Sequence, residues 1–289
     1  MKKLIAVFVF MFATIMAFSQ IDPDVIYVSG GSAAPTTFTV NPSTGLSIPI
    51  APNSFFGPVT ELQFDPTGSF LYGGTGGGAS NLISIDPLTG IETLIGTHIL
   101  GALNGLEFVG NTLYGTFFDG VSTTSLVIVN PVTAALTPIG VCLTNNTGTI
   151  SGLAYDYANG VMYGMAHGFN NYPPVMPATL VTIDLATGNI APIGEVMVSS
   201  QCRGLTFGPE GILYTGTPPA SQVPGFLISL DKNTGMGTLI APVPTMSISG
   251  LAYPQPPQIP VSNWAIIIGV FLIVASIAYR FRRRLAWQL

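Results

Sequence analysis

Between residues 25 and 253 the apolar positions fall in short runs, cut apart by Gly, Pro, Asn and Asp. The runs are rich in Val, Ile, Leu, Phe and Tyr, and none keeps a helical period for long. Short β-branched and aromatic runs bounded by turn residues predict strands. One stretch shows the unit. Asn104 to Phe108, Leu113 to Thr116, Leu126 to Val129 and Leu136 to Ile139 read as four successive strands A, B, C and D.

The pattern repeats. A Tyr after an apolar residue recurs at Tyr27, Tyr72, Tyr114, Tyr163 and Tyr214, at spacings of 45, 42, 49 and 51. A turn follows each: Asn41 to Gly45, Asp86 to Gly90, Asn130 to Ala134, Asp184 to Gly188 and Asp231 to Gly235. Asp and Asn accept local backbone N–H bonds and Gly permits positive φ, so each predicts a C–D hairpin built on a type I turn with a bulge. Ala134 stands where the other four carry Gly, which predicts a strained or different third turn. A Leu-x-aromatic signature precedes each next unit: Leu62 to Phe64, Leu106 to Phe108, Leu153 to Tyr155, Leu205 to Phe207 and Leu251 to Tyr253. Gly stands before the Leu in four of these five, and Glu61 in the fifth.

Four-stranded units at such a period predict an all-β chain, a five-bladed β-propeller. The chain enters on a strand-B motif (Val25 to Val28) and leaves on a strand-A motif (Gly250 to Tyr253). The last strand A is therefore expected to complete the first blade and remove the open edges of the sheets. An open solenoid and a two-sheet sandwich are the alternatives. The repeat resembles the secreted YVTN-type, Asp-Pro-x-Thr-Gly propeller repeats, a likeness that implies fold and not activity.

The two ends differ from this middle. Residues 1–19 predict a signal peptide: Lys2 and Lys3, an apolar stretch from Leu4 to Phe18, and small residues at Ala17 and Ser19, with cleavage before Gln20. An uncleaved membrane helix is the alternative. Residues 20–253 form the propeller, and residues 254–263 a Pro-rich spacer expected to be extended. Trp264 to Tyr279 carries no charge and predicts a transmembrane helix, and with residues 259–263 it reaches 21 residues, roughly 30 Å at 1.5 Å per residue. Trp264 and Tyr279 suit the interfaces. Arg280, Arg282, Arg283 and Arg284 follow, so residues 280–289 are expected in the cytoplasm and the propeller outside. The order Ile259-Pro260-Val261-Ser262, Trp264, apolar helix, Arg-rich end resembles a bacterial IPTL-CTERM or PEP-CTERM sorting tail, with Val-Ser where Thr-Leu is typical. That resemblance implies an exosortase-like sorting peptidase as a partner and transfer to the cell surface.

Charge then narrows the partners. Only 7% of residues are charged, and 58 of the 289 are Gly or Pro. Helical bundles and disordered charged tails are excluded on those grounds. Between the terminal segments only Arg203 and Lys232 stand against all 13 acids, a net −11. That disfavours nucleic acid and leaves a glycan or a surface protein as partner.

Few residues suggest chemistry. His98 and His167 share no ligand spacing and read as loop residues, so neither a metal nor a cofactor is expected; a structural calcium on backbone carbonyls stays open. Glu61 and Glu107, both on strand A, are the best pair for a glycan- or lactone-processing hydrolase or lyase. They are not repeat-equivalent and are expected to differ in depth and face. The polar column Thr60, Asn104, Ser151, Arg203 and Ser249 precedes each Gly-Leu or Glu-Leu pair. It predicts either a ligand-binding ring at one mouth of the channel or ordinary solvated strand ends. Cys142 and Cys202, both exported, could form a disulfide. The leading expectation is a non-enzymatic binding or scaffold propeller. A channel-mouth hydrolase and a purely structural surface or biofilm protein are the alternatives.

Overall fold

The computed structural model describes residues 21–30, 37–51, 55–76, 80–98, 101–144, 148–168, 177–199, 201–217, 225–243 and 248–255. The chain divides into two compact units, residues 1–256 and 257–289, and all described residues belong to the first. The predicted signal peptide, sorting motif and transmembrane helix lie outside the described residues. Among those described, no helix is long and apolar enough to cross a membrane.

Among the described residues twenty strands form five four-stranded antiparallel sheets. The first three strands are β1 (Ile26–Gly30), β2 (Thr37–Val40) and β3 (Ser47–Ala51). Blade 2 is β4 (Val59–Phe64), β5 (Leu71–Thr75), β6 (Ser80–Ile85) and β7 (Glu92–His98). Blade 3 is β8 (Ala102–Val109), β9 (Thr112–Phe118), β10 (Thr124–Val129) and β11 (Leu136–Leu143). Blade 4 is β12 (Thr149–Asp156), β13 (Val161–His167), β14 (Thr179–Ile183) and β15 (Ile190–Glu195). Blade 5 is β16 (Arg203–Phe207), β17 (Leu213–Gly216), β18 (Gly225–Leu230) and β19 (Gly237–Val243). The last strand, β20 (Ile248–Ala252), joins β1, β2 and β3 as the inner strand of blade 1.

The closure runs as the sequence predicts. β20 pairs antiparallel with β1, Tyr27 opposite Ala252 and Val28 opposite Leu251. The Tyr253 hydroxyl donates to the Pro23 carbonyl at 2.8 Å. The inner strands neighbour one another in a ring, β4 beside β8, β8 beside β12, β12 beside β16, β16 beside β20 and β20 beside β4. Strands in blade 3 run past their predicted ends, because hairpin pairing continues through Thr124 opposite both Phe118 and Leu143.

Both aromatic columns of the sequence now have a cause. The Tyr on the second strand of one blade packs against the aromatic on the inner strand of the next. Tyr27 meets Phe64 at 5.0 Å between ring centroids, Tyr72 meets Phe108 at 5.6 Å, and Tyr163 meets Phe207 at 5.9 Å. Edge-on and tilted aromatic pairs of this kind add roughly 0.5–1.5 kcal/mol each beyond their buried area. The buried apolar residues fall into five clusters, each shared by two successive blades. The core therefore lies between sheets, and no blade could bury its faces alone.

The C–D turns form as predicted. In each, a carboxylate or amide oxygen at the first position accepts backbone N–H groups, as Asp86 does from Leu88 at 2.8 Å and Thr89 at 3.0 Å. The fifth residue closes the loop, its N–H donating to the carbonyl of the first. Ala134 adopts the left-handed conformation (φ 61°) that Gly supplies in the other four turns.

Candidate functional site

The polar column sits at a repeated irregularity of the inner strands. In every blade the pairing of the inner strand with its neighbour slips beside the Gly-Leu or Glu-Leu pair. Such bulges re-aim side chains. Thr60, Asn104, Ser151 and Ser249 fall at the slip, whereas in blade 5 it falls on Gly204 and Arg203 stays paired with Gly216. Three of these polar groups are spent holding blades together. The Thr60 hydroxyl is 3.2 Å from the Gly74 carbonyl of its own blade and 3.4 Å from the Leu103 carbonyl of the next. Asn104 Nδ2 donates to Thr149 Oγ1 at 2.9 Å, and Ser151 Oγ donates to the Cys202 carbonyl at 3.0 Å. Here the structure favours inter-blade struts over a ring of free ligand groups.

The other two members differ. Ser249 is fully buried and its hydroxyl has no partner. Among the described residues Arg203 makes no ion pair, and the one ion pair joins Lys232 to Asp156. His167, at the end of β13 opposite Thr149, is buried, with Nδ1 3.2 Å from the Gly168 carbonyl and Nε2 without a partner. Burial pushes the His167 imidazole down to about 4, with the Arg203 charge adding to the effect. His167 is thus neutral above that range, and close enough to Arg203 to feel its field. Both histidines lie at strand ends and not in loops as expected, since β7 and β13 run on through His98 and His167.

Glu61 and Glu107 form a separate, sealed group. Glu61 is 0% exposed and Glu107 5%. Glu61 Oε1 accepts from the Leu62 N–H at 3.0 Å, while Oε2 has no hydrogen-bond partner. Burial holds the Glu61 carboxyl well above the usual range, opposed by the N–H groups of Leu62 and Leu251 and reinforced by Glu107. Burial raises Glu107 likewise, against hydrogen bonds from the Tyr155 N–H and the Gln63 amide. The two acids, on neighbouring inner strands, are near enough for Glu107 to act on Glu61. Positions two apart on a strand share a face, so Gln63 stands beside Glu61 and links that side of β4 to Glu107.

The chemistry follows from the burial. Hydrolysis of a glycoside needs one carboxylate ionised and both in reach of substrate and water. These two acids favour the neutral form and face no solvent. Among the described residues no group of three His, Cys, Asp or Glu could hold a metal ion. Cys142 and Cys202 are free thiols, which corrects the disulfide considered from sequence. Cys142 packs at the blade 3–4 interface and Cys202 inside the blade 4–5 interface, so two different layers of core separate their roles. Sequence reasoning missed His167 as a neighbour of Arg203, and Gln63 as the link between the acids. The signal for Gln63 was present, since it and Glu107 share the middle position of the Leu-x-aromatic column.

The class defined here is a five-bladed β-propeller closed by its C-terminal strand, with a polar inner ring. No protein-family model matches the sequence, and no curated protein matches it. Solved structures do. A protein of unknown function from Bacteroides caccae aligns with a TM-score of 0.50 at 9% identity, over 81% of this chain and 100% of that one. A candidate 6-phosphogluconolactonase from Bacteroides fragilis aligns at 0.44 and 14% identity, over 77% and 82%. TolB from Acinetobacter baumannii aligns at 0.46 and 14%, over 80% of this chain and 56% of that one. At such identities the likeness is one of fold alone.

Proposed function

We propose that the chain is a non-enzymatic binding propeller whose ligand, a glycan or a surface protein, is met at the Arg203–His167–Ser249 side of the inner ring. One contrast supports this reading. The acids that hydrolysis would need are biased to the neutral form, whereas Arg203 on blade 5 has no carboxylate partner among the described residues, and His167 and Ser249 on the flanking blades 4 and 1 each keep a polar atom unpaired. Unpaired buried polar groups cost about 1–3 kcal/mol each, and a ligand that satisfied them would recover that cost.

The terminal segments support export. Residues 1–19 would carry the chain across the inner membrane, residues 264–279 would hold it, and the sorting-type tail would hand it to an exosortase-like peptidase for surface transfer. Mass spectrometry of surface material tests the tail: the mature chain should lack Trp287, and its retention would count against sorting-type cleavage.

The binding reading is tested by probing a glycan array with the full chain in detergent micelles. Binding to a restricted set of glycans, lost on Arg203→Gln, is expected. Turnover of a bound glycan, abolished by Glu61→Gln, would overturn it in favour of the hydrolase.

A further inference from the structure

We infer that the Arg203–His167–Ser249 side of the ring takes a monovalent organic acid carrying a hydroxyl, such as a uronic acid or a small hydroxy acid. This rests on the binding reading above and names the chemistry of its ligand. Three groups on successive blades set that chemistry: Arg203 and Ser249 on inner strands, and His167 at the end of the second strand of blade 4.

Arg203 supplies a planar cation with no carboxylate partner among the described residues. A guanidinium matches a carboxylate by two parallel N–H bonds. The other cation between the terminal segments, Lys232, is engaged with Asp156 at 2.7 Å. Among the described residues Arg203 is therefore the one cation without a carboxylate partner, in a region of net charge −11. One unit of positive charge in such a field suits a carboxylate of charge −1 better than a phosphate ester near −2.

His167 then asks for a proton. With Nδ1–H directed to the Gly168 carbonyl, Nε2 keeps a lone pair and acts only as an acceptor. The ring is neutral in ordinary buffers because burial holds its pKa near 4. An ionised oxygen facing Nε2 would be repelled, whereas a hydroxyl would donate to it. Ser249, on the strand next to Arg203, offers a hydroxyl that can donate or accept, is fully buried and has no partner. Its counterparts on blades 2, 3 and 4 are already committed to struts. Buried polar atoms without a partner also stand on blade 2, at Glu61, Ser80 and His98, but His167 and Ser249 stand on the blades that flank Arg203; together the three describe a ligand with one negative end and hydroxyls beside it.

Isothermal titration of the full chain in detergent micelles with D-glucuronate, L-lactate, D-glucose and acetate tests this. Glucuronate or lactate should bind at least about tenfold more tightly than glucose or acetate, a difference of about 1.4 kcal/mol. Preference for glucuronate marks a polysaccharide source, and preference for lactate a free hydroxy acid. Arg203→Gln should weaken the acids at least about tenfold and leave glucose unchanged, and Ser249→Ala should weaken both acids less. Unchanged thermal midpoints show that these variants fold. Equal binding of glucose and glucuronate would overturn the acid assignment while leaving a binding propeller. Tighter binding of inorganic phosphate than of either acid would overturn it too, and silence from all four probes would remove it altogether.

Discussion

A Cβ on Gly250 would lie 2.6 Å from the Cα of Glu61 and 2.7 Å from the backbone nitrogen of Leu62. Both obstacles are backbone of the neighbouring blade. The same holds around the ring, where Gly152 meets the backbone of Gly204, and Gly204 that of Leu251. Closing five inner strands into so small a circle brings their backbones into contact, which is why Gly precedes Leu in four of the five units. Gly250→Ala should therefore destabilise the fold by about 1–3 kcal/mol, the usual cost of overpacking, read as a lower thermal midpoint. Adding Glu61→Gly should not restore it, because that Cα and nitrogen remain. Recovery in the double variant would show that the Glu61 side chain, and not the ring backbone, sets the limit.

Glu61 and Glu107 give the fold a pH dependence of known sign. Burial raises both carboxyls in the folded state above their ordinary value near 4.5. A group raised on folding contributes stability that is fully present below its unfolded pKa and is lost as pH rises through its folded value. Urea midpoints of Glu61→Gln and Glu107→Gln should thus exceed that of the unsubstituted chain by more at pH 7 than at pH 4. The turn acids work in the opposite direction. Asp86 and Asp119 are held low by the N–H groups they accept, and their contribution fades on acidification. A constant difference between pH 4 and pH 7 for both variants would mean that the two acids reach solvent.

The propeller was legible because its commonest contact is also its most regular. Tyr27, Tyr72 and Tyr163 each meet the aromatic of the next blade, so one interaction writes the same two columns into the sequence again and again. The chain's entry at Val25 and exit at Tyr253 were legible for the same reason, since a missing first strand and a surplus last one are visible by counting. The candidate site was not. Arg203 and His167 sit on different blades, and only the radius of the closed ring brings them together. Glu61 stood out as the exception in a Gly column, but its burial depends on how closely β20 approaches β4. The struts made by Thr60, Asn104 and Ser151 were equally hidden, because a polar residue at a strand end looks solvated until a neighbouring carbonyl is placed beside it.

At the outer rim the fourth strand of one blade packs on the C–D turn of the next. A Cβ on Gly96 would lie 2.7 Å from the Ala134 Cβ, and one on Gly140 would lie 1.8 Å from the Thr187 carbonyl oxygen. Elsewhere the methyl is on the other partner: Ala241 faces Gly45, whose added Cβ would lie 2.4 Å away. Each contact therefore holds at most one methyl group. Gly96→Ala should destabilise by about 1–3 kcal/mol. Combined with Ala134→Gly it should recover much of that loss, by recreating the arrangement at Ala241 and Gly45. A double-mutant cycle on thermal midpoints measures the coupling. Additive losses would mean that the Thr133 carbonyl, 3.0 Å from the same Cβ, is the true obstacle.

Lys232 supports the blade 4–5 interface through charge as well as packing. Its ammonium lies 2.7 Å from Asp156 Oδ2 and 6.0 Å from the centre of the Phe207 ring. Burial pushes the Asp156 carboxyl up, yet hydrogen bonds from Lys232 and Asn159 outweigh it and leave the pKa low. Lys232→Met keeps an unbranched side chain and removes the ammonium, and with it the Asp156 pair and the cation over the Phe207 ring. Asp156 would retain the Ala158 and Asn159 donors. The Lys232 side chain is 36% exposed, so solvent screens part of the pair and the loss should be about 1 kcal/mol. A carboxylate held low contributes stability above its unfolded pKa and loses it as pH falls through the folded value. The gap between Lys232→Met and the unsubstituted chain should therefore shrink on acidification, opposite in sign to the effect of the buried acids. A gap that is equal at pH 3 and pH 7 would assign the role of Lys232 to its ammonium over the Phe207 ring and not to the Asp156 pair.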